Sequence, residues 1–356
     1  MTTGPARPGD GWRVFHATGQ TPEAEPAPLP KAPPWRQFRG GPPLPQPDQW
    51  DAGSARRLGA SNRLAQLGEA EIDVVNAAIL LRRPLLVTGP PGIGKSTLAY
   101  LIARELGLGR VLQWSIVSRS TLRSGLYDYD AIGRAQTVAE LAVRTSTDGV
   151  ATPTAVGKAE HDTPSRPSVG EFLTLGPLGT ALLPYRLPRI LLVDELDKGD
   201  IDLPNDLLHV LENGAFDIPE LVRTGENHIE VHTDDPQGRT VVQRGRVECA
   251  EFPIVVMTSN GEREFPAAFR RRCLPLEMRP PSRELLLAIV EGHLRHRPDG
   301  LEELVEDFAL RLGNGGTHSV DQLLNAAQLI TQKGFPPGSR GKALIETLLR
   351  DLSKGH

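Results

Sequence analysis

The chain has 356 residues, a net charge of −4 and a pI near 6.2, so it has room for about two domains and no basic surplus for wrapping nucleic acid. Its two cysteines lie far apart and without metal-ligand spacing, which argues against a disulfide scaffold and against a zinc site. Every apolar stretch is shorter than the roughly 20 residues of a membrane span, and the first residues lack the apolar region of a signal peptide, so we expect a soluble, cytoplasmic protein without a membrane partner.

The first 60 residues are a proline-rich N-terminal extension that holds twelve of the 32 prolines. Proline lacks the N–H group that helices and sheets use, so regular structure is not expected there. Two interpretations stay open: a solvated, polyproline-like tail, or a segment whose aromatic residues anchor it to the body or to a partner. These aromatic residues are Trp12, Phe15, Trp35, Phe38 and Trp50.

From about Gly68 onward, apolar runs of strand type alternate with segments of helical periodicity. The runs predict strands at 84–89, 111–117, 189–195 and 253–260, and helices at 71–83, 95–107 and 203–214. The polar stretch 137–168 predicts a surface insertion, and 229–247 predicts a hairpin that turns around Asp234 to Gly238. The remaining sequence predicts helices at 282–296, 301–312, 319–333 and 341–353. This order predicts an α/β domain over 61–279 and a helical domain over 280–356.

A glycine-rich segment directly after the first strand fits the pattern GxxxxGK[ST] and leads into a helix. Its backbone N–H groups and the positive end of the helix favour phosphate, so we expect this loop to bind ATP. Lys95 provides a cation for the γ-phosphate, and the Ser96 hydroxyl is placed to ligate Mg²⁺. The predicted nucleotide-binding residues are Gly89, Pro90, Pro91, Gly92, Ile93, Gly94, Lys95, Ser96 and Thr97.

Two adjacent carboxylates end the strand at 189–195. Asp194 is placed to bind the metal, together with Ser96, and Glu195 to polarise the attacking water. Asp197, Lys198 and Asp200 follow immediately, and either a solvated loop or a subunit contact explains them.

Further polar residues follow the strand at 253–260. Asn260 ends this strand, where its amide is expected to hold the water between Glu195 and the γ-phosphate; a simple turn former is the alternative. Three consecutive arginines at 270–272 are either a solvated helix end or the source of a cation for a neighbouring subunit's γ-phosphate. Among them we assign this role to Arg272, with Arg271 as its rival.

Taken together, these segments resemble the AAA+ ATPases, and among them the MoxR-like branch that also contains the dynein-related modules. The sequence GPPGIGKST resembles Walker A, LLVDELDKGDIDLPNDLLHVLENG resembles Walker B with its helix, and MTSNGEREFPAAFRRRC resembles the segment from sensor 1 to the arginine finger. LGPLG at 175–179 resembles a segment of MoxR-like proteins, and the hairpin resembles the pre-sensor hairpin. The helix near Ser319 has no arginine at the usual sensor 2 position, so that role is transferred to no residue.

The resemblance implies a P-loop NTPase core, with a parallel sheet flanked by helices, and a C-terminal all-helical lid. It also implies ATP and Mg²⁺ as cofactors and a homo-oligomeric ring. The leading hypothesis is a remodeller of a protein client or effector partner. A nucleotide-gated module of a bacterial defence or signalling assembly is the runner-up, and a nucleic-acid motor, against which the acidic charge counts, is third. Because the motif residues all lie beyond it, the N-terminal extension is expected to be dispensable for nucleotide chemistry.

Overall fold

The computed structural model describes residues 10–22, 29–47, 57–58, 67–147, 167–294, 296–313 and 318–350. In chain order, the strands of these segments are β1 (Leu85–Thr88), β2 (Leu112–Ser115), β3 (Tyr127–Tyr129), β4 (Leu173–Leu175), β5 (Ile190–Asp194), β6 (Ala215–Asp217), β7 (His228–His232), β8 (Arg239–Gln243), β9 (Arg246–Glu248), β10 (Ile254–Ser259) and β11 (Leu274–Glu277). Short 3₁₀ turns are formed by Asp10–Trp12, Pro34–Arg36, Val169–Phe172 and Leu196–Lys198.

The helices of the same segments surround these strands and follow them. In chain order they are α1 (Glu69–Leu81), α2 (Thr97–Leu106), α3 (Leu122–Leu126), α4 (Ala131–Thr147), α5 (Pro177–Ala181), α6 (Leu203–Asn213), α7 (Pro219–Val222), α8 (Ala267–Arg270), α9 (Arg283–Leu294), α10 (Leu301–Gly313), α11 (Val320–Ile330) and α12 (Ser339–Leu348). None of the helices in the described segments is long and apolar enough to cross a membrane.

The central sheet has the strand order β11-β1-β10-β5-β2, and all of its strand pairs are parallel. In β1, β5 and β10, alternate side chains enter different apolar cores, which is why these three strands read as continuous apolar runs. Leu191 and Val193 of β5 pack into one core, while Ile190 and Leu192 pack into the other. The four predicted strands are confirmed. The fifth, β11, was missed because LPLE is short and contains a proline.

The helix after the glycine-rich loop covers one face of the sheet. Leu98 and Leu101 of α2 pack there with Val75 and Ile79 of α1. Gly107 ends α2 in the left-handed conformation, as the sequence predicts. The two helices therefore fix the loop between β1 and α2 against the sheet.

The other face of the sheet packs against a second sheet with the order β3-β4-β7-β8-β9-β6. Strands β7 and β8 form the predicted hairpin, with Ile229 opposite Val242. The turn of this hairpin is tied to the central sheet, because Asp235 accepts hydrogen bonds of 2.7 and 2.8 Å from Arg189, the residue before β5. The Arg189 side chain is fully buried. The strand that carries Asp194 is thus linked to the hairpin by a buried ion pair.

The described parts of the N-terminal extension pack onto the body. Phe15 is fully buried in the core that α1 and α2 share, and the buried Asn76 side chain of α1 accepts a hydrogen bond from the Phe15 N–H and donates one to its C=O. Farther along, Phe38 stacks on Phe252 with ring centroids 5.6 Å apart. Trp35, in contrast, is 78% exposed, and Trp50 lies outside the described residues. The anchoring interpretation is therefore correct for the two phenylalanines and wrong for Trp35 within this chain.

The first part of the predicted insertion at 137–168 is helical, since α4 runs from Ala131 to Thr147. Residues 148–166 lie outside the described part of the chain, and the insertion stays a prediction.

The four C-terminal helices occur where the sequence predicts them, with ends shifted by a few residues, and they share a separate apolar core. Helix α11 meets the glycine-rich loop directly: the Val320 N–H donates to the Gly92 carbonyl over 3.0 Å. A Cβ on Gly92 would lie 2.4 Å from the Ser319 Cα, so only glycine permits this approach. A backbone contact therefore joins these helices to the loop where the sequence offers no sensor 2 arginine.

Candidate functional site

The glycine-rich loop connects β1 to α2 at the carboxyl edge of the central sheet. Gly89 and Gly92 have φ values of 148° and 74°, which residues with a side chain rarely adopt. Ile93 is buried beneath the loop and supports it. The loop and the N-terminus of α2 together provide the backbone amides of an anion site.

Lys95 crosses the inside of this loop. Its ammonium donates to the carbonyls of Gly89 and Pro90, over 2.9 and 2.7 Å, and to Asn260 Oδ1 over 2.8 Å. Burial lowers the pKa of Lys95 from its ordinary value, and the carboxylates of Asp197 and its neighbours oppose that shift. The ammonium thus lies in a partly desolvated site where it interacts strongly with an anion.

Asp194 ends β5 beside the start of α2. Its Oδ1 accepts hydrogen bonds from the Ser96 hydroxyl over 2.6 Å and from the Thr258 hydroxyl over 2.7 Å. Thr258 also accepts the Glu195 N–H over 2.9 Å, so one hydroxyl positions both acidic residues. Sequence reasoning missed Thr258, although a hydroxyl residue near the end of an otherwise apolar strand is a usable signal.

Glu195 adopts the left-handed conformation, with φ 59° and ψ 48°. Such backbone is unfavourable for a residue with a side chain and is often found at functional sites. The Glu195 carboxylate forms an ion pair with Lys198 over 2.7 Å. Lys198 is therefore an intrachain partner of Glu195, rather than only part of a solvated loop.

Asn260 directly follows β10, the strand beside β5. Its side chain meets Lys95, and its backbone N–H donates to Asp197 Oδ2 over 2.9 Å. The structure thus brings together the glycine-rich loop, both acidic residues and the amide that the sequence predicts for one site.

Residues 91–97, Asp194, Glu195, Thr258 and Asn260 line a cavity of about 690 Å³ between the central sheet and the C-terminal helices, whereas Gly89 and Pro90 of the loop do not line it. The cavity also includes residues that sequence reasoning did not place there, namely Arg57, Glu71, Arg279, Ser319 and Asp321. Arg57 belongs to the N-terminal extension and lies over the Tyr100 ring, 4.9 Å from its centroid. This position counts against the expectation that the extension is dispensable for nucleotide chemistry, which stays a prediction. No local pattern predicts it, because Arg57 reaches the cavity through tertiary packing.

The sequence of this core matches a family model over residues 85–278, the ATPase family associated with various cellular activities (AAA). The chain belongs to the AAA family. It is accordingly a P-loop ATP hydrolase with a nucleotide-binding site. AAA+ proteins commonly form oligomeric rings.

Two solved structures of RuvB from Thermotoga maritima are similar to this AAA chain, each at 14% sequence identity. One is a variant and has a TM-score of 0.38, with 77% of this chain and 64% of that chain covered. The other is described as a Holliday junction branch migration motor and has a TM-score of 0.36, with 78% and 65% covered. The AAA chain therefore spans less than two thirds of the length of these RuvB chains. No curated protein matches it.

Ser96, directly before α2, and Asp194, at the carboxyl end of β5, fit a magnesium ion in this AAA site. Ser96 and Asp194 offer hydroxyl and carboxylate oxygens 2.6 Å apart, and Mg²⁺ prefers such oxygen ligands. Mg²⁺ also keeps waters and binds substrate phosphates, so it needs few protein ligands. The described residues accordingly contain no cluster of three or more His, Cys, Asp or Glu side chains suited to a metal.

The three arginines at 270–272, at the end of α8 and directly after it, do not contribute to the lining of this cavity. Arg272 forms an ion pair with Glu212 of α6, and it donates to the Ala268 carbonyl over 3.1 Å. The Arg271 side chain is exposed and makes no hydrogen bond or ion pair with any described residue. The structure thus separates the predicted arginine finger from the nucleotide site of its own chain.

Proposed function

We propose that this AAA ATPase hydrolyses Mg²⁺-ATP to remodel or activate a protein partner, as an oligomer of the MoxR-like branch whose subunits complete each other's sites. The main support is the position of the predicted site residues. Lys95, Ser96, Asp194, Glu195 and Asn260 all lie at one cavity, while the three arginines at 270–272 do not line it.

In this proposal the loop from Gly89 to Thr97 binds the phosphates, and Lys95 exchanges its contacts with the loop carbonyls for contacts with the γ-phosphate. Ser96 and Asp194 hold Mg²⁺, which neutralises phosphate charge when bound. Asn260 holds the attacking water through its amide. These exchanges need only local side-chain movement, because the groups already lie in hydrogen-bonding reach of one another.

Glu195 accepts a proton from the attacking water, and this step requires a free carboxylate oxygen. In the structure Lys198 binds that carboxylate. Both side chains are 43% exposed, and exposed ion pairs contribute only about 0 to 1 kcal/mol, so their separation costs little.

Arg272 supplies a cation to the γ-phosphate of a neighbouring subunit, in addition to Arg57 and Arg279 of that subunit's own cavity. To reach a neighbouring subunit it must leave Glu212, an exposed partner whose loss also costs little. Arg271, which is exposed, is its rival. An arginine finger contributes roughly 10³ to 10⁵ in rate, which is far more than a surface ion pair contributes to stability.

The partner is a protein in this proposal. The net charge of −4 gives no general attraction to nucleic acid.

The LGPLG segment, which resembles a segment of MoxR-like proteins, contains the start of α5. A Cβ on Gly179 of this segment would lie 1.9 Å from the Leu126 carbonyl oxygen. This glycine is therefore required by a close backbone approach.

A nucleotide-gated switch is the second candidate, and the Lys198 contact with Glu195 favours it to a small degree, because an exposed ion pair can slow turnover by up to about fivefold. The two candidates differ in their ATPase rates. A remodeller turns over steadily and faster with its client, whereas a switch binds ATP tightly and turns over very slowly.

Glu195→Gln provides the experiment, since it is expected to trap the ATP-bound state. The trapped protein is recovered from cells with its partners, and each purified partner is then added to the wild-type ATPase. Lys95→Ala is the control for partners that bind independently of ATP. A partner that is retained only by the trapped variant and raises the wild-type rate supports the remodeller. An unstimulated, very slow rate supports the switch, and stimulation by DNA or RNA instead contradicts a protein partner.

A further inference from the structure

Asp197 lies in the 3₁₀ turn Leu196–Lys198 that follows β5, and it is 6% exposed. A carboxylate rarely enters the protein interior without partners that replace its water. Its burial excludes the interpretation of Asp197 as a solvated loop residue.

One oxygen of this carboxylate has two partners on the loop that begins after β10. Asp197 Oδ2 accepts the backbone N–H groups of Asn260 and Glu262, over 2.9 and 3.2 Å. The other oxygen, Oδ1, is buried and has no hydrogen-bond partner among the described residues. The turn after β5 is thus fastened to the loop after β10 by charge-assisted hydrogen bonds.

The same loop places the Asn260 amide. Asn260 Oδ1 accepts from Lys95 over 2.8 Å, so the backbone that Asp197 holds also determines where this side chain meets the phosphate loop. A displacement of about 1 Å in a catalytic site can cost roughly 10²-fold in rate. A residue that fixes the Asn260 backbone therefore affects the rate of hydrolysis without contacting ATP.

We infer that Asp197 is a positioning residue, which holds Asn260 in place for hydrolysis through its two backbone hydrogen bonds. The inference rests on the role of Asn260 in the proposed function. The Asp197 charge also faces the Lys95 ammonium and raises the pKa of that lysine against the effect of burial. The carboxylate thus acts on both partners of the Lys95 contact with Asn260.

The test compares steady-state ATP hydrolysis and ATP affinity for Asp197→Ala, Asp197→Asn, Asn260→Ala and the double variant Asp197→Ala/Asn260→Ala in the full chain. Asp197→Ala is expected to lower kcat roughly ten- to a hundredfold while KM and the calorimetric affinity change little. Asp197→Asn is expected to keep most of kcat, because its amide oxygen can accept both N–H groups and its NH₂ group takes the place of the unbonded Oδ1. The double variant is expected to be no slower than Asn260→Ala, because both changes disable one unit.

Asp217→Ala is the control, since Asp217 is an exposed aspartate that does not line the cavity. If Asp197→Ala melts below the assay temperature, Asp197→Ser replaces it, because its short hydroxyl cannot reach both N–H groups. A normal kcat in Asp197→Ala, equal losses in the alanine and asparagine variants, or independent losses that multiply in the double variant would overturn the inference alone. A normal kcat in Asn260→Ala would instead show that Asn260 does not take part in hydrolysis. This result would contradict both the role of Asn260 in the proposed function and the inference about Asp197.

Discussion

Lys95 shows how a single residue prepares the site for phosphate. Lys95 is 6% exposed, and its ammonium is shared between two loop carbonyls and an amide oxygen, all of them neutral acceptors. A phosphate oxygen is a stronger, charged acceptor, so nucleotide displaces these contacts favourably.

Lys95→Ala is expected to weaken ATP binding more than tenfold, because a charge-assisted contact of this kind is worth about 1.5 to 3 kcal/mol. Titration calorimetry measures the change directly. Lys342→Ala on α12 is the matched control, because its side chain is exposed and lies outside the cavity. Equal ATP affinities for the two variants would contradict the assignment of the glycine-rich loop as the phosphate-binding loop.

Glu195→Gln is expected to retain Mg²⁺-ATP binding and to abolish hydrolysis, because the amide keeps the shape but cannot accept a proton. Lys198→Ala is the informative companion. It frees the Glu195 carboxylate, and we expect kcat to rise by no more than about fivefold, given the 0 to 1 kcal/mol of an exposed pair. Normal turnover by Glu195→Gln means that another group is the base.

The two thiols provide a chemical test of the packing. Burial raises the pKa of Cys249 and of Cys273 to about 12, so both are protonated thiols at neutral pH. Since the thiolate is the reactive form, we expect a thiol reagent at pH 8 to label the native protein very slowly and both cysteines rapidly in denaturant. Rapid labelling of the native chain would contradict the buried positions.

At the scale of elements, the N-terminal extension stabilises the core beneath the phosphate loop. Phe15 is fully buried beside α2. Phe15→Ala is expected to lower the free energy of unfolding by about 3 to 5 kcal/mol, as buried phenylalanine truncations do. Trp35→Ala is the control, since an exposed side chain changes stability within about 0.5 kcal/mol. Equal melting temperatures for both variants would contradict this packing and would support the interpretation of the extension as a solvated tail.

The hairpin is held by the Asp235 contact with buried Arg189. Burial alone would raise the pKa of Asp235, but the Arg189 hydrogen bonds and charge outweigh burial and hold it below its ordinary value. Because the folded chain favours the ionised carboxylate, this stabilisation is present above about pH 4 and is lost as the pH falls further. Asp235→Asn is expected to lower the free energy of unfolding at pH 7 by about 3 to 5 kcal/mol.

Thermal unfolding of the wild type and Asp235→Asn between pH 7 and pH 3 measures this effect. The difference in melting temperature is expected to shrink toward pH 3. A difference that is independent of pH would show that the charge of Asp235 is not what stabilises the hairpin.

At the scale of the whole molecule, local patterns predicted the parallel sheet and the main site, because buried parallel strands are continuous apolar runs that end in polar residues at one edge. Contacts between residues that are far apart in the sequence have no such local pattern. Phe15 packs on residues about 60 positions away, and Arg57 reaches the cavity from a proline-rich segment. Asp197 is one of three polar residues after Glu195, and only the fold shows that it is the buried one.

In the proposed function, the nucleotide lies in one chain and the arginine finger comes from a neighbouring chain. If subunits complete each other's sites, the specific ATPase rate rises with protein concentration as the oligomer forms. A rate that is independent of concentration over the range where the oligomer dissociates would count against a shared site.

The most direct test mixes two inactive variants. Arg272→Ala is expected to bind ATP nearly normally and to hydrolyse it poorly, while Lys95→Ala keeps the finger but loses the phosphate site. Because a mixed interface can unite an intact site with an intact finger, we expect the mixture to regain part of the wild-type rate, with Arg271→Ala tested in parallel as the rival. No recovery in either mixture, together with a concentration-independent wild-type rate, would show that the site is complete within one chain and would contradict the shared-site account.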